Sequence, residues 1–227
     1  RGSGKTTLLK VACIWAVLCG HLRFVVLIAA SSKKAQQLLE DIKTWLETNQ
    51  LLLADFRNEI YAIIALERIT NRAAGQTCDG TATRIEWTAD KIVMPTIGAV
   101  DGHEVNSSPS ACSGAVLTAA GLKGSDIRGQ QHVLADGSVM RPDLAMIDDP
   151  QTRESAKSEL QCSDREDLLS GDVLGMAGPG KKIAAMMACT VIFPGDMADR
   201  MLDRAKHPRW GGVRTKMVYA FPKNEKL

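Results

Sequence analysis

The sequence predicts an α/β fold in which a mostly parallel sheet carries helices on both faces and includes a small β-hairpin. Three observations lead there. Phe24–Ala30 is an uninterrupted apolar run of strand length, the pattern of a parallel strand covered on both faces. Leu144–Ile147 is a second such run and ends in Asp148 and Asp149. Around both, strand-like runs alternate with stretches of helical spacing, the order of a parallel sheet wrapped by helices.

The elements follow in chain order. Leu8–Leu18 is apolar nearly all round, as in a helix buried against a sheet. After the strand at Phe24–Ala30, Ser31 or Ser32 can cap a helix in which Ala35, Leu38, Leu39, Ile42, Trp45 and Leu46 recur at helical spacing. A further helix is expected from about Phe56 to Arg72, with Ile60, Ile63, Ile64 and Ile69 toward the core. Arg84–Trp87 and Lys91–Met94 flank the polar Thr88-Ala89-Asp90 and read as the hairpin. The stretch Gly98–Gly114 is a loop, Val116–Ala119 a core strand and Ala135–Ser138 a turn. Helical texture runs from about Thr152 to Leu174 and is broken by Gly178-Pro179-Gly180. Ile183–Ile192 then reads as a buried strand, Pro194-Gly195-Asp196 starts a helix to about Ala205, and Lys216–Phe221 is a final strand. There is one domain and no linker.

Composition narrows the class. The 227 residues are 45% hydrophobic and 24% charged, with a net charge of +2, the values of a soluble globular domain. Lys33-Lys34 and Lys181-Lys182 read as solvated ends, so composition gives no nucleic-acid footprint. The six cysteines form no zinc-spaced cluster and fit a reducing cytoplasm. His21, His103 and His132 read as surface or loop histidines. The apolar stretch Leu8–Leu18 is too short to span a bilayer.

Two motifs carry chemistry. Arg1-Gly2-Ser3-Gly4-Lys5-Thr6-Thr7 is the back half of the phosphate-binding pattern G-x-x-x-x-G-K-[ST]. Gly4 permits close backbone approach to a phosphate. The N–H groups of Gly2, Ser3, Gly4, Lys5, Thr6 and Thr7 line the loop and first helical turn that would face phosphate oxygens. Lys5 supplies a mobile charge to the β- and γ-phosphates, and Thr6 offers a hydroxyl to Mg2+. The second motif is Asp148-Asp149 at the end of an apolar strand, where ligands collect in open α/β sheets. Asp148 would bind a water of the Mg2+ shell, and Asp149 would orient and deprotonate the attacking water. Glu is more usual at the second place. The plain alternative is an Asp-Asp-Pro turn closing an ordinary strand.

Together R-G-S-G-K-T-T, G-S-D-I-R-G, R-P-D-L-A-M-I-D-D-P and C-T-V-I-F-P-G-D-M-A-D-R-M resemble the large subunit of tailed-phage terminases, the ATP-driven motor that packages viral DNA. The resemblance spans essentially the whole chain. It implies a three-layer P-loop NTPase fold of the ASCE type, with ATP and Mg2+ as cofactors. It places Arg1 near the γ-phosphate, Asp148 as the Walker B aspartate, Asp149 as the catalytic acid, and Thr190 in the motif that couples phosphate loss to motion. Arg128 is a candidate arginine finger; its other reading is a solvated loop residue or structural ion pair, and Arg1 also remains open as the finger. The implied partners are double-stranded viral DNA, the portal of a procapsid, the terminase small subunit and further copies in a homo-oligomeric ring. The implied place is the host cytoplasm, with no membrane.

The same resemblance expects a launching strand and an adenine-binding segment upstream of Arg1, and a nuclease domain downstream, so no nuclease activity is expected of these residues. Lacking that launching strand, Phe24–Ala30 and Leu144–Ile147 would miss a central neighbour, and the chain alone should be poorly soluble and bind ATP weakly. A helicase-type ATPase and a non-hydrolysing nucleotide-binding assembly module are the other readings.

Overall fold

The computed structural model describes residues 4–98, 110–134, 136–216 and 218–220. Helix α1 (Lys5–Leu18) leads to strand β1 (Phe24–Ala29), then α2 (Ser32–Thr48), α3 (Gln50–Asp55) and α4 (Arg57–Ile64). Short strands β2 (Thr77–Cys78), β3 (Thr81–Ala82), β4 (Glu86–Trp87) and β5 (Lys91–Val93) precede β6 (Val116–Gly121). Next come α5 (Gly124–Ile127), β7 (His132–Val133), β8 (Val139–Met140) and β9 (Leu144–Asp148). Helices α6 (Arg153–Lys157) and α7 (Glu159–Asp167), a π-helical turn (Leu168–Val173), β10 (Ala184–Ala188) and α8 (Met197–Arg200) complete the order.

The central sheet has the order β10-β9-β1-β6-β5-β4. Its first four strands are parallel, while β5 and β4 extend it antiparallel. The expected hairpin is therefore the continuation of the main sheet. Register pairs Ala29 with both Gly121 and Asp148, and Asp148 with Ala188. Four strand ends thus lie along one carboxyl-terminal edge. The Asp143 carboxylate helps set that register by accepting from the Arg23 and Phe24 amides at 2.8 and 2.9 Å.

Alternation along the strands divides the core in two. Val25, Leu27, Leu117, Leu144 and Met146 pack with Leu9, Cys13, Val17, Leu39, Ile42, Ile60 and Ile63 from α1, α2 and α4. Phe24, Val26, Ile28, Ala145 and Ile147 pack with Ile127, Cys162, Leu169, Val173, Met197 and Met201 from the other face. Helices therefore cover both faces, a three-layer arrangement. Ser31 caps α2 by accepting from the Lys34 amide at 3.4 Å. No helix among the described residues is long and apolar enough to cross a membrane.

Several expectations are corrected. Strand β1 is bonded to β6 on one side and β9 on the other, and β9 lies between β1 and β10. Neither lacks a neighbour; among the described residues the edge strands of this sheet are β10 and β4. Met186 on it is 46% exposed, so β10 is not the fully buried strand its apolar sequence suggests. Helix α1 is not covered all round either, since Leu8, Val11 and Trp15 are exposed. The helix expected through Arg72 ends at Ile64, and Glu67 and Arg68 take positive φ of 47 and 61°. That turn leaves Ile69 outside the core, at 46% exposure. Texture from Thr152 to Leu174 is split at Ser158, whose side chain caps α7 by accepting from the Gln161 amide. Helix α8 stops at Arg200, short of Ala205, and residues 216 and 218–220 form no strand. The loop expected at Gly98–Gly114 lies mostly outside the described residues.

Candidate active site at the carboxyl edge of the sheet

Gly4 precedes α1 with φ of 73°, a left-handed conformation that glycine takes without strain. Among the described residues nothing approaches within 4 Å of where a Cβ would stand, and the positive φ is what calls for glycine here. Among the described residues no side chain caps α1, and its first turn holds no acid. The amides of the first turn are thus left to other acceptors, with the positive end of the helix dipole behind them.

Two hydrogen-bonded pairs build the site. The Thr6 hydroxyl donates to Asp148, 2.9 Å from each carboxylate oxygen. The Lys5 ammonium donates to the Cys189 carbonyl at 2.9 Å and the Thr190 hydroxyl at 2.8 Å. Helix α1 leans on β9 and β10, which brings these groups to the strand ends. Burial pushes the Asp148 carboxyl above its ordinary value. The Thr6 hydrogen bond opposes that, the Asp149 charge adds to it, and Lys5 and Lys10 pull it back. Asp149 is exposed and takes a positive φ of 39°, while its amide donates to Ala188 at 2.9 Å. Asp is among the few residues that tolerate this backbone region.

The predicted residues divide accordingly. Lys5, Thr6, Asp148 and Thr190 are brought together, with Asp149 adjacent in the chain. Thr7 follows on α1 and is exposed. Arg1, Gly2 and Ser3 lie outside the described residues. Arg128 lies on Asp172, with its Nε 3.1 Å from both carboxylate oxygens. That hydrogen bond, then the Asp172 charge, raises its already high pKa. Its side chain is 72% exposed and joins none of the Lys5–Thr190 or Thr6–Asp148 contacts.

Other participants were not anticipated. Lys10 is buried in α1 and reaches Asp41 at 2.8 Å beneath the Trp45 ring, tying α1 to α2. Farther along the edge, Asp126 accepts from the Ser32 hydroxyl at 2.6 Å, a bond that leads the lowering of its pKa. A Cβ on Gly121 would stand 2.7 Å from the Ser32 amide nitrogen, so the edge is too close-packed there for a side chain. Gln151 and Asp196 bridge the loops after β9 and β10. Asp196 stands in the helix-starting Pro-Gly-Asp pattern and in the last of the resemblance motifs, whereas nothing in the sequence marked Gln151. The neighbouring Cys189 thiol is pushed up to about 11 by burial and stays protonated near neutrality.

Chemically the edge presents a cation, two hydroxyls, a partly desolvated carboxylate and the open amides of a helix start. This set suits a polyphosphate. Thr6 and Asp148 add adjacent hard oxygens of the kind that suit Mg2+, which needs few protein ligands. Among the described residues no group of three or more His, Cys, Asp or Glu side chains could hold a metal. No family model, curated protein or solved structure matches the chain.

Proposed function

We propose that the chain is the ATPase region of a terminase large subunit, hydrolysing Mg-ATP to move double-stranded viral DNA into a procapsid. One observation supports it most. Lys5 meets Thr190 across 185 residues and Thr6 meets Asp148 across 142, so three separately read motifs share one sheet edge. The DNA, portal, small subunit and ring partners, and the host cytoplasm, rest on the sequence resemblance.

In this reading Lys5 exchanges its acceptors at Cys189 and Thr190 for phosphate oxygens and holds the transferring group in place. Thr6 and Asp148 would hold Mg2+, which neutralises charge developing on the phosphates. Asp149, exposed beyond the strand end, takes the proton of the attacking water. Thr190 loses its Lys5 donor when phosphate arrives and regains it on release, which makes its hydroxyl a reporter of site occupancy. As the candidate finger, Arg128 would have to leave Asp172 to reach a neighbouring subunit's nucleotide; held there it is a structural ion pair, the other reading of this residue.

The test is Mg-ATP turnover by the full-length protein with procapsids and DNA, beside Asp149→Asn. A general base supplies about 10²–10⁴-fold, so the substitution should remove at least about 10²-fold. Unchanged turnover in Asp149→Asn removes the base assignment. Turnover without DNA uptake leaves an ATPase of another kind.

A further inference from the structure

We propose that Gln151 and Asp196 are positioning residues that lock the Thr190 loop to the end of β9 and carry phosphate occupancy at Lys5 into α8. The inference rests on the ATPase reading above. Beyond the Asp149 amide bond to Ala188, the chain leaves β9 toward α6 and leaves β10 toward α8. Gln151 spans the gap. Its Nε2 donates to the Thr190 carbonyl at 3.0 Å and to Asp196 Oδ2 at 2.8 Å. Both partners are acceptors only, which fixes the amide orientation.

Asp196 gathers the rest of the loop. Its Oδ2 also accepts from the Ile192 and Phe193 amides at 2.6 and 3.0 Å. Its Oδ1 accepts from the Asp199 amide at 3.0 Å and caps α8. Gln151 is 5% exposed and Asp196 1%. The next residue, Met197, is fully buried in the second core. A continuous chain of contacts thus runs from Lys5 through Thr190, Gln151 and Asp196 to α8.

A purely structural role explains less. Gln151 Oε1 is buried with no partner among the described residues, and such an acceptor weakens a fold. An apolar side chain there would spare that acceptor but would leave the Thr190 carbonyl and the buried Asp196 carboxylate without this donor. Retaining the amide makes sense if its two donated bonds hold Thr190 in register with Lys5. A cavity of about 330 Å3 borders Phe193–Gly195 and is lined by Lys157, Cys162 and Arg200, which leaves this loop room to shift.

The experiment compares Gln151→Leu, Thr190→Val and their double variant in the full-length protein, measuring kcat and KM for Mg-ATP together with the folded fraction. The expected result is a kcat loss of at least about tenfold in Gln151→Leu with KM within about threefold. The double variant should be no worse than the poorer single variant, because both cut one chain of contacts. Wild-type kcat in Gln151→Leu, a loss that only tracks the folded fraction, or losses that multiply in the double variant would each overturn the proposal. Should Gln151→Leu not fold, Asp196→Asn carries the same comparison, since it keeps the shape and an acceptor oxygen. If the wild type neither binds nor hydrolyses Mg-ATP, the ATPase reading itself falls; if it does both and the variants match it, only the positioning role falls.

Discussion

The two faces of the sheet are built differently. One carries α1 and α2, of 14 and 17 residues, over a mainly aliphatic core. The other carries α5 and α8 of four residues each, α7 of nine, and a π-helical turn. Its core draws on Met176, Met197 and Met201. Long helices present a continuous rigid face, whereas flexible methionines pack adaptably and π-turns interrupt regular bonding. The candidate site draws on both. Lys5 and Thr6 come from the long-helix face, and the loop holding Thr190 runs on through Asp196 into α8 on the short-helix face. Under the ATPase reading proposed above, the difference amounts to a division of labour: one side would hold phosphate in a fixed frame, and the other would yield when it is held.

The sharpest way to break that comparison is to remove the fixed cation. Lys5→Ala should lower Mg-ATP turnover by about 10²-fold or more, measured at saturating nucleotide, and should weaken binding as well. Next come core truncations on each face, followed by denaturant unfolding. Leu39→Ala, fully buried on the long-helix side, should cost about 3–4 kcal/mol, and Met201→Ala about 2 kcal/mol, because the methionine-rich side can collapse around the loss. Equal costs would remove the contrast.

Gly121→Ala should cost about 1–3 kcal/mol, since the new Cβ meets the Ser32 backbone. Asp148→Asn should abolish turnover yet raise the melting temperature slightly at pH 7. Burial raises the Asp148 pKa, so the wild type loses stability as pH rises from the ordinary carboxyl value through the raised one. The stabilisation should accordingly fade as pH falls toward 4 in a pH series of melts. The smallest structural effect belongs to Arg128→Ala, which should leave the melting temperature nearly unchanged because the side chain is so exposed. If Arg128 acts in a neighbouring subunit, mixing Arg128→Ala with Lys5→Ala subunits should restore part of the lost hydrolysis. No recovery would argue against that role.

Legibility follows from what each signal contains. Phe24–Ala29, Leu144–Asp148 and α2 were readable because strand runs and helical spacing are local, and the hairpin because a polar break separates two apolar runs. Position within the sheet is not local. Residues 184–188 and 144–147 are similarly apolar, yet one segment is an edge and the other an interior strand. Periodicity also could not show that Leu8, Val11 and Trp15 on α1 are left exposed. At the candidate site, Lys5, Thr6 and Asp148 could be singled out because a G-K-T run and a strand ending in acids are local patterns, whereas the Thr6–Asp148 contact across 142 residues is not local. The Gln151–Asp196 bond joins ordinary polar residues 45 positions apart, and no spacing rule announces it.

Lys5, Thr6, Asp148 and Thr190 are proposed to form one nucleotide site. The most direct test is a titration of the full-length protein with a fluorescent ATP analogue, with and without Mg2+, beside Lys5→Ala. Saturable, Mg2+-dependent binding that weakens at least about tenfold in Lys5→Ala is predicted. Absence of saturable binding, or equal affinity in Lys5→Ala, would contradict it.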